Sequence, residues 1–251
     1  MSRNYHVIGA GGVGSWLLPA LVKLANPQDN IYLWDGDTLE PKNMDRQLFS
    51  PSDIGSNKAE ALMRKYAQEA ACNLYAKNEY FTCSKVDLSD SGNYWLRHDK
   101  DEVVLFGCAD NHPSRAEILH VCDRDGVCSI IGGNGYTDAD GYYYDASYEG
   151  TPCDPRVYYP EILTDRTGSP VHADGCTGEA QKETPQLVLA NMWAAAHMLH
   201  LLWYHVLGGI AESLPEDMKE HMPMLSRNSA YMFETVKKGD LDKNQEARTL
   251  D

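Results

Sequence analysis

The chain has 251 residues, of which 43 % are hydrophobic and 24 % are charged, and its formal net charge at pH 7 is −15. This length is enough to bury one large core. The negative charge would repel nucleic acid and anionic membranes, so we expect neither as a partner. No secretion signal is visible and the cysteine count is odd, at seven, which favours the reducing cytoplasm over a disulfide framework.

The first predicted elements are a short apolar strand, a glycine-rich turn and a helix. The helix is indicated by apolar residues at three-to-four spacing. The glycines of the turn are Gly9, Gly11, Gly12 and Gly14. In a dinucleotide-binding turn, one glycine makes the bend, one lets the backbone approach the nucleotide, and one lets the helix pack on the strand. A second strand ends in Asp35, an acid placed to bind a ribose, and this much fits NAD and ATP equally.

Two cations after the second strand favour ATP over NAD. Arg46 and Lys58 lie in a stretch that otherwise reads as a loop running into a helix. An arginine clamps phosphate oxygens in a planar fork and a lysine adds a point charge, which suits a triphosphate. An NAD-dependent oxidoreductase would have no role for these two side chains, so this function is the less favoured alternative.

A third strand, at residues 103–107, is followed by Asp110. The carboxyl ends of the strands in a doubly wound sheet share one edge, so Asp110 is expected beside Gly11 and Asp35. A carboxylate at this place can hold Mg²⁺ through one oxygen and waters.

The order of these motifs resembles the ThiF/MoeB superfamily, the adenylating enzymes of ubiquitin-like activation. The shared motifs are GxGGxGS, DGD, NxxRQ, GxxKA and a strand ending in CADN with Arg115 shortly after it, over about residues 5–131. A weaker likeness, in Gly133-Asn134 and residues 154–161, points to bacterial ThiF-like proteins of plasmid-borne gene sets. The resemblance implies an α/β fold: a Rossmann-like, mostly parallel sheet flanked by helices, with an irregular tyrosine-rich segment and a long buried C-terminal helix. One adenylation domain would cover residues 1–210, and residues 211–251 would be its charged helical tail.

The resemblance also implies a role for individual residues. Asp35 would hold the ribose, and Asp37 and Asn43 would line the ATP site. Arg46 and Lys58 would contact phosphates, and Asp110 would carry Mg²⁺. The cofactor-binding set also includes Asn111, Gly9, Gly11, Gly12 and Gly14.

Three of these side chains have plain structural interpretations as well. Asp37 could cap a turn, and Lys58 could be one solvated helix charge among several. Arg46 could pair with Asp45 or Asp53 on the surface. The order and joint spacing of the motifs favour the ATP-site interpretation.

The segment after Ile131 leaves two interpretations open. In the superfamily the corresponding region closes over ATP and guides the flexible tail of a ubiquitin-like partner, a role that suits aromatic side chains. Alternatively, hairpins pack these tyrosines against the sheet. The tyrosines concerned are Tyr136, Tyr142, Tyr143, Tyr144 and Tyr148.

Cys176 is the candidate for covalent chemistry. It stands upstream of the last long helix, much as a cysteine does in ThiF-like relatives that form acyl or persulfide linkages. A thiolate there could accept the activated acyl group, and a cysteine in a flexible loop is the alternative. The other cysteines contain no C-x-x-C pair, so no zinc is expected.

A helix signal begins at Thr184-Pro185, and apolar residues run nearly all round it from Leu187 to Leu207. A helix of this kind is usually buried on all sides. Polar residues interrupt it and it has no basic flank, so a membrane span is not expected. In the superfamily the equivalent helix covers the sheet and helps to form a twofold dimer, so we expect a homodimer.

The predicted activity is ATP-dependent adenylylation of a C-terminal carboxylate, giving acyl-adenylate and pyrophosphate. The substrate would be a ubiquitin-like or sulfur-carrier protein ending in Gly-Gly, or a peptide. The alternative is a non-catalytic adenylation-like subunit that binds another protein. Family members usually carry an N-terminal helix whose arginine reaches the partner's ATP site, whereas here only Arg3 precedes the strand at Tyr5.

Overall fold

A computed structural model of the protein describes residues 2–85, 103–135, 139–166 and 188–207. Its centre is a six-stranded sheet in the order β3-β2-β1-β4-β5-β6, parallel except for β6, which runs antiparallel to β5. The strands are β1 (Asn4–Ile8), β2 (Asn30–Trp34), β3 (Asn73–Lys77), β4 (Val103–Gly107), β5 (Cys128–Asn134) and β6 (Ala139–Tyr144). The predicted Rossmann-like, mostly parallel sheet is confirmed.

The strand order reverses between β1 and β4, the two central strands. Every residue of both strands is buried, because helices cover both faces of the sheet. The loops that leave the carboxyl ends of β1 and β4 run to opposite sides and leave a crevice between them, which is where ligands bind in folds of this type. The sequence places the glycine-rich turn after β1 and Asp110 after β4.

Two helical layers cover the sheet. The helices are α1 (Gly12–Leu24), α2 (Lys58–Tyr66), α3 (His112–Asp125), α4 (Pro155–Tyr158), α5 (Glu161–Thr164) and α6 (Val188–His205). One core lies between the sheet and α1, α2 and α6, and contains Leu17 and Met198. The other core lies between the sheet and α3 and α5, and contains Ile118 and Ile162.

Helix α6 confirms the predicted long C-terminal helix, but its burial is one-sided. Asn191, Ala194 and Met198 face α1 and the strands β5 and β6 and are fully or almost fully buried. The opposite face exposes 59 % of Leu189 and 49 % of Trp193. The expectation of burial on all sides therefore holds for one face only. Within the described ranges, no helix is both long enough and apolar enough to cross a membrane.

The tyrosines of β6 pack as a hairpin strand rather than lining an open channel. Tyr142 is 8 % exposed and Tyr144 is fully buried, and both belong to the core on the α3 side of the sheet. Tyr143 points to the other face and stacks on His205 of α6. The exposed aromatic rings of this region are instead Tyr158 and Tyr159, while Tyr136 lies outside the described residues.

A partly buried arginine ties the segment after β6 to helix α3. The guanidinium of Arg156 contacts Asp123 at 2.6 Å and Asp154 at 2.9 Å, and it also donates to the hydroxyl of Tyr144. Burial acts to raise the pKa of Asp154, but hydrogen bonds from Arg156 and from the backbone of Gly150 outweigh it and hold that pKa below its usual value. The segment is thus fixed by charge pairing as well as by apolar packing.

We expect Arg156→Met to lower the free energy of unfolding by about 3 kcal/mol near pH 7, because it leaves two partly buried carboxylates without their counter-charge. The stabilisation should be present above the ordinary aspartate pKa of about 4 and should shrink as the pH falls through the lowered pKa of Asp154. Urea unfolding near pH 7 and again below about pH 4 measures this change in the free energy of unfolding. Arg64→Met is the matched control, since Arg64 is half exposed on α2 and should cost little.

Candidate nucleotide-binding site

The glycines after β1 divide three structural tasks among them. Gly9 has a φ of +96°, which L side chains rarely adopt. A Cβ on Gly14 would fall inside van der Waals contact with the carbonyl oxygen of Gly9, so this glycine lets α1 pack against the strand end. A Cβ on Gly11 would meet only Nε2 of Gln47, at an ordinary 3.7 Å. Gly11 is therefore the position where the backbone is open to a ligand.

The turn is held to the loop after β2 by one buried carboxylate. Asp35 is 7 % exposed, and its two oxygens accept the backbone N–H of Ala10 at 2.7 Å and that of Asp37 at 2.8 Å. Burial raises the pKa of Asp35, and the nearby positive charge of Lys58 opposes that rise. The predicted ribose acid thus also fixes the geometry of both loops.

The second acid of the loop, Asp37, pairs with the predicted phosphate-binding lysine. Nζ of Lys58 lies 2.7 Å from Oδ2 of Asp37, and the hydroxyl of Tyr80 donates to Oδ1. Burial acts to raise the pKa of Asp37, but the hydrogen bond and charge of Lys58, with help from Tyr80, lower it. Lys58 is only 8 % exposed, so it is not the solvated helix charge of the alternative interpretation.

Asn57 sets the position of Lys58. It is the N-cap of α2: its Oδ1 accepts the backbone N–H of Glu60, while its Nδ2 donates to the carbonyl oxygens of Asp35 and Asp37. One side chain thereby starts the helix and ties it to the acidic loop. Sequence reasoning missed this residue, although an asparagine directly before a helical run is a recognisable capping signal.

The segment that carries Arg46 is fastened to α1. Nε1 of Trp16 donates to the carbonyl oxygen of Arg46, and the hydroxyl of Ser15 accepts from the backbone N–H of Leu48. The guanidinium of Arg46 bonds to Asp45 at 3.1 Å and to the carbonyl oxygen of Lys42 at 3.2 Å. The pairing with Asp45 that the sequence left open is therefore present.

Asn43 and Asn111 both take part in helix capping. Oδ1 of Asn43 accepts the backbone N–H of Glu40 within a short 3₁₀ turn, and Oδ1 of Asn111 accepts that of Ser114 at the start of α3. Asp110 is exposed at the end of the loop after β4. This loop passes beside the glycine-rich turn, since the backbone nitrogen of Ala109 lies 3.0 Å from where a Cβ on Gly9 would stand.

Two buried side-chain amides next to the turn have atoms without hydrogen-bond partners. Oδ1 of Asn191, on α6, lies 2.6 Å from where a Cβ on Gly12 would stand, and neither amide atom of Asn191 has a hydrogen bond. Oε1 of Gln47, beside Gly11, also has none. Unsatisfied buried polar atoms are rare and favour a missing partner at this place. The sequence signal for Asn191 was an asparagine inside an otherwise apolar helix.

Two predictions, the covalent role of Cys176 and the magnesium site at Asp110, are not tested by the contacts described above. Cys176 lies outside the described residues, and its covalent role stays a prediction. Among the residues that the structure describes, no three His, Cys, Asp or Glu side chains group closely enough to hold a metal ion.

Comparison with known proteins places the chain in a family and a fold. A sequence profile of the ThiF family matches residues 2–219. No curated protein matches the chain significantly. Solved structures with a similar fold include E. coli MccB with succinimide (18 % identity, TM-score 0.57, covering 81 % of this chain and 56 % of that chain). E. coli MccB with ATP (19 %, 0.53, 80 % and 55 %) and PaaA (15 %, 0.55, 82 % and 56 %) are also similar. The chain spans little more than half the length of these proteins.

The glycines give a stability test of the turn. We expect Gly14→Ala to lower the free energy of unfolding by about 3 kcal/mol or more, because the new methyl group would meet backbone that cannot move. Gly11→Ala should change stability by less than about 1 kcal/mol, since its methyl group would make only an ordinary contact. Thermal and urea unfolding compare the two variants, and equal losses would contradict the division of tasks.

Proposed function

Because this chain belongs to the ThiF family, we propose that it is an ATP-dependent adenylyltransferase that activates a substrate carboxylate. The observation that carries the proposal is the junction of three features at one sheet edge: the open backbone of Gly11, the buried carboxylate of Asp35 and the lysine of α2 paired with Asp37. A ribose and a chain of phosphates need these groups in this order.

In the proposed reaction, a carboxylate oxygen of the substrate attacks the α-phosphorus of ATP. A new P–O bond forms, the bond to the bridging oxygen of the β-phosphate breaks, and pyrophosphate leaves with that electron pair. No proton has to be transferred, so the chain contributes placement and charge stabilisation. Mg²⁺, bound by Asp110 together with phosphate oxygens and water, would neutralise charge on the leaving group.

The observed contacts support a proposed part for each residue. Asp35 keeps lone pairs beyond the two used by Ala10 and Asp37, and these can accept ribose hydroxyls. Lys58 and Arg46 each form an ion pair with a carboxylate, and each can bind phosphate oxygens in place of that carboxylate. The amide nitrogen of Asn191 can supply a donor next to the glycine-rich turn, where the first N–H groups of α1 also point, and Oε1 of Gln47 can accept a hydrogen bond there.

The substrate is proposed to end in a free carboxylate on a small, extended chain. E. coli MccB has been solved with AMPCPP and MccA together, and it shares the fold of this chain. A peptide or a carrier protein ending in Gly-Gly would satisfy the same chemistry. Thioester transfer through Cys176 would be a second step, and the chain could also stop at the acyl-adenylate.

The test of the activity is ATP–pyrophosphate exchange with peptides and carrier proteins as carboxylate donors. We expect Lys58→Ala to raise the KM or Kd for ATP about 10–100-fold, the effect of losing a charged hydrogen bond. Lys23→Ala is the matched control, since the Lys23 side chain is 65 % exposed on α1. Background exchange with every donor, despite tight ATP binding, would support the non-catalytic subunit instead.

We also propose that the exposed apolar face of α6 is covered by a second copy of the chain. Leu189 lies one helical turn from Met192 and Trp193, and each of the three is at least 40 % exposed. An apolar patch of this kind is unusual on a monomer surface. Light scattering should give a dimer for the wild type and a monomer for Trp193→Lys, with Leu24→Lys on α1 as a control; a monomeric wild type contradicts the proposal.

A further inference from the structure

A tyrosine from the loop after β3 reaches the ion pair between Asp37 and Lys58. The hydroxyl of Tyr80 donates to Oδ1 of Asp37, and Nζ of Lys58 lies 2.7 Å from Oδ2 of the same carboxylate. Each oxygen of Asp37 therefore has its own donor. The proposed reaction has a role for the lysine but none for the tyrosine.

The loop that carries Tyr80 is anchored to the rest of the fold. Phe81, the next residue, is 5 % exposed, and its ring lies edge-on to that of Trp34 on β2, with 5.5 Å between the centroids. Further along the loop, the backbone N–H of Cys83 donates to Glu117 of α3 at 2.6 Å. The ring of Tyr80 is itself 41 % exposed, but it extends from a backbone that these contacts hold in place.

Gly36, the central glycine of the DGD motif, makes room for the ring of Tyr80. A Cβ at this position would stand 2.8 Å from Cε2 and 2.9 Å from Cδ2 of the ring, which is closer than real Cβ contacts. The φ of Gly36 is not positive, so the bare residue provides space rather than an unusual backbone conformation. A side chain at residue 36 would push the tyrosine hydroxyl away from Asp37.

The main chain of Asp37 is held independently of its side chain. Its N–H donates to Oδ1 of Asp35 at 2.8 Å. Its carbonyl oxygen accepts the backbone N–H of Lys58 at 3.0 Å and Nδ2 of Asn57 at 3.1 Å. When the side chain of Lys58 moves to a phosphate, only the side-chain contacts of Asp37 therefore have to change.

The tyrosine lowers the cost of that movement in two ways. Burial acts to raise the pKa of Asp37, and Lys58 and then Tyr80 lower it, so the tyrosine helps to keep the carboxylate charged once the lysine has left. An acceptor that keeps one donor avoids the penalty of a partly buried group with none. While the lysine is still in place, the second donor reduces the negative charge that the carboxylate presents to it.

We propose that Tyr80 is a positioning residue that controls how readily Lys58 leaves Asp37 for a phosphate. It acts through the carboxylate of Asp37. This inference rests on the proposed function, because it takes a phosphate of ATP as the alternative partner of Lys58. In Tyr80→Phe, Asp37 would depend on the lysine alone and would hold it more tightly.

Acylation of lysines tests the inference without nucleotide or turnover. The full-length protein reacts with sulfo-N-hydroxysuccinimidyl acetate, and mass spectrometry measures the rate at each lysine. An amine held by a carboxylate reacts slowly, so we expect Tyr80→Phe to slow acylation of Lys58 about threefold. Lys23, whose side chain is 65 % exposed, should react equally fast in every variant. Tyr75→Phe, at an exposed ring of β3, is the matched control and should leave Lys58 unchanged.

Calorimetry with ATP and Mg²⁺ then measures the consequence for the nucleotide. Tyr80→Phe should raise the Kd for ATP about fivefold, less than the loss of a buried charged hydrogen bond would, because 46 % of the Asp37 side chain is exposed. In the Lys58→Ala background the same substitution should change the Kd by less than about twofold, since no lysine is left to release. A tyrosine with a purely structural role would weaken binding in both backgrounds.

Gly36→Ala disturbs the same contact while keeping the hydroxyl. Its methyl group would displace the ring, so it should slow acylation of Lys58 as Tyr80→Phe does. The two substitutions together should do no more than either alone, because they remove one shared contact. Thermal unfolding of each variant checks the fold, and Tyr80→Phe, which keeps the ring, decides the matter if Gly36→Ala is unfolded.

Failure of the inference and failure of the proposed function give different results. Unchanged or faster acylation of Lys58 in Tyr80→Phe overturns the inference. An unchanged Kd for ATP, or an equal rise in Kd with and without the lysine, overturns it as well and leaves the proposed function intact. Slower acylation in Tyr80→Phe, together with no binding of ATP by the wild-type protein, overturns the proposed adenylylation and leaves the control of Lys58 by Tyr80 in place.

Discussion

The site depends on one buried carboxylate, that of Asp35. It binds the backbone of Ala10 in the glycine-rich turn and the backbone of Asp37 in the next loop, at 2.7 Å and 2.8 Å. Two loops that follow different strands are thereby held at a fixed spacing. Because burial raises the pKa of Asp35, keeping the carboxylate charged has a cost that its backbone donors and the charge of Lys58 reduce. The same carboxylate can therefore position the loops and still offer free lone pairs to a ligand.

Around this carboxylate, charges are held in pairs that a nucleotide can rearrange. Asp37 balances Lys58 and Asp45 balances Arg46, so neither cation is left uncompensated before a ligand arrives. Arg115 differs, since its buried Nε has no acceptor.

The sequence was sufficient for the fold, because the fold follows from local patterns, while the nucleotide site that the same patterns indicate stays a prediction. Short apolar strands, a helical period and glycines with distinct steric tasks predict the turn and its helix without knowledge of distant contacts. Asn191, whose place beside the turn the sequence missed, reaches it only through tertiary packing. Asn191 stands about 180 residues from Gly12 along the chain, and only the packing of α6 on α1 brings them together. The sequence also could not predict that only one face of α6 is buried, because an apolar helix surface can face a core or a second chain equally well.

The central claim is that a nucleoside triphosphate binds along this edge. The most direct test is a calorimetric titration of the full-length protein with ATP and Mg²⁺ and, separately, with NAD. The account predicts saturable binding of ATP with no measurable binding of NAD. Tighter binding of NAD than of ATP, or no heat from ATP at all, would contradict it.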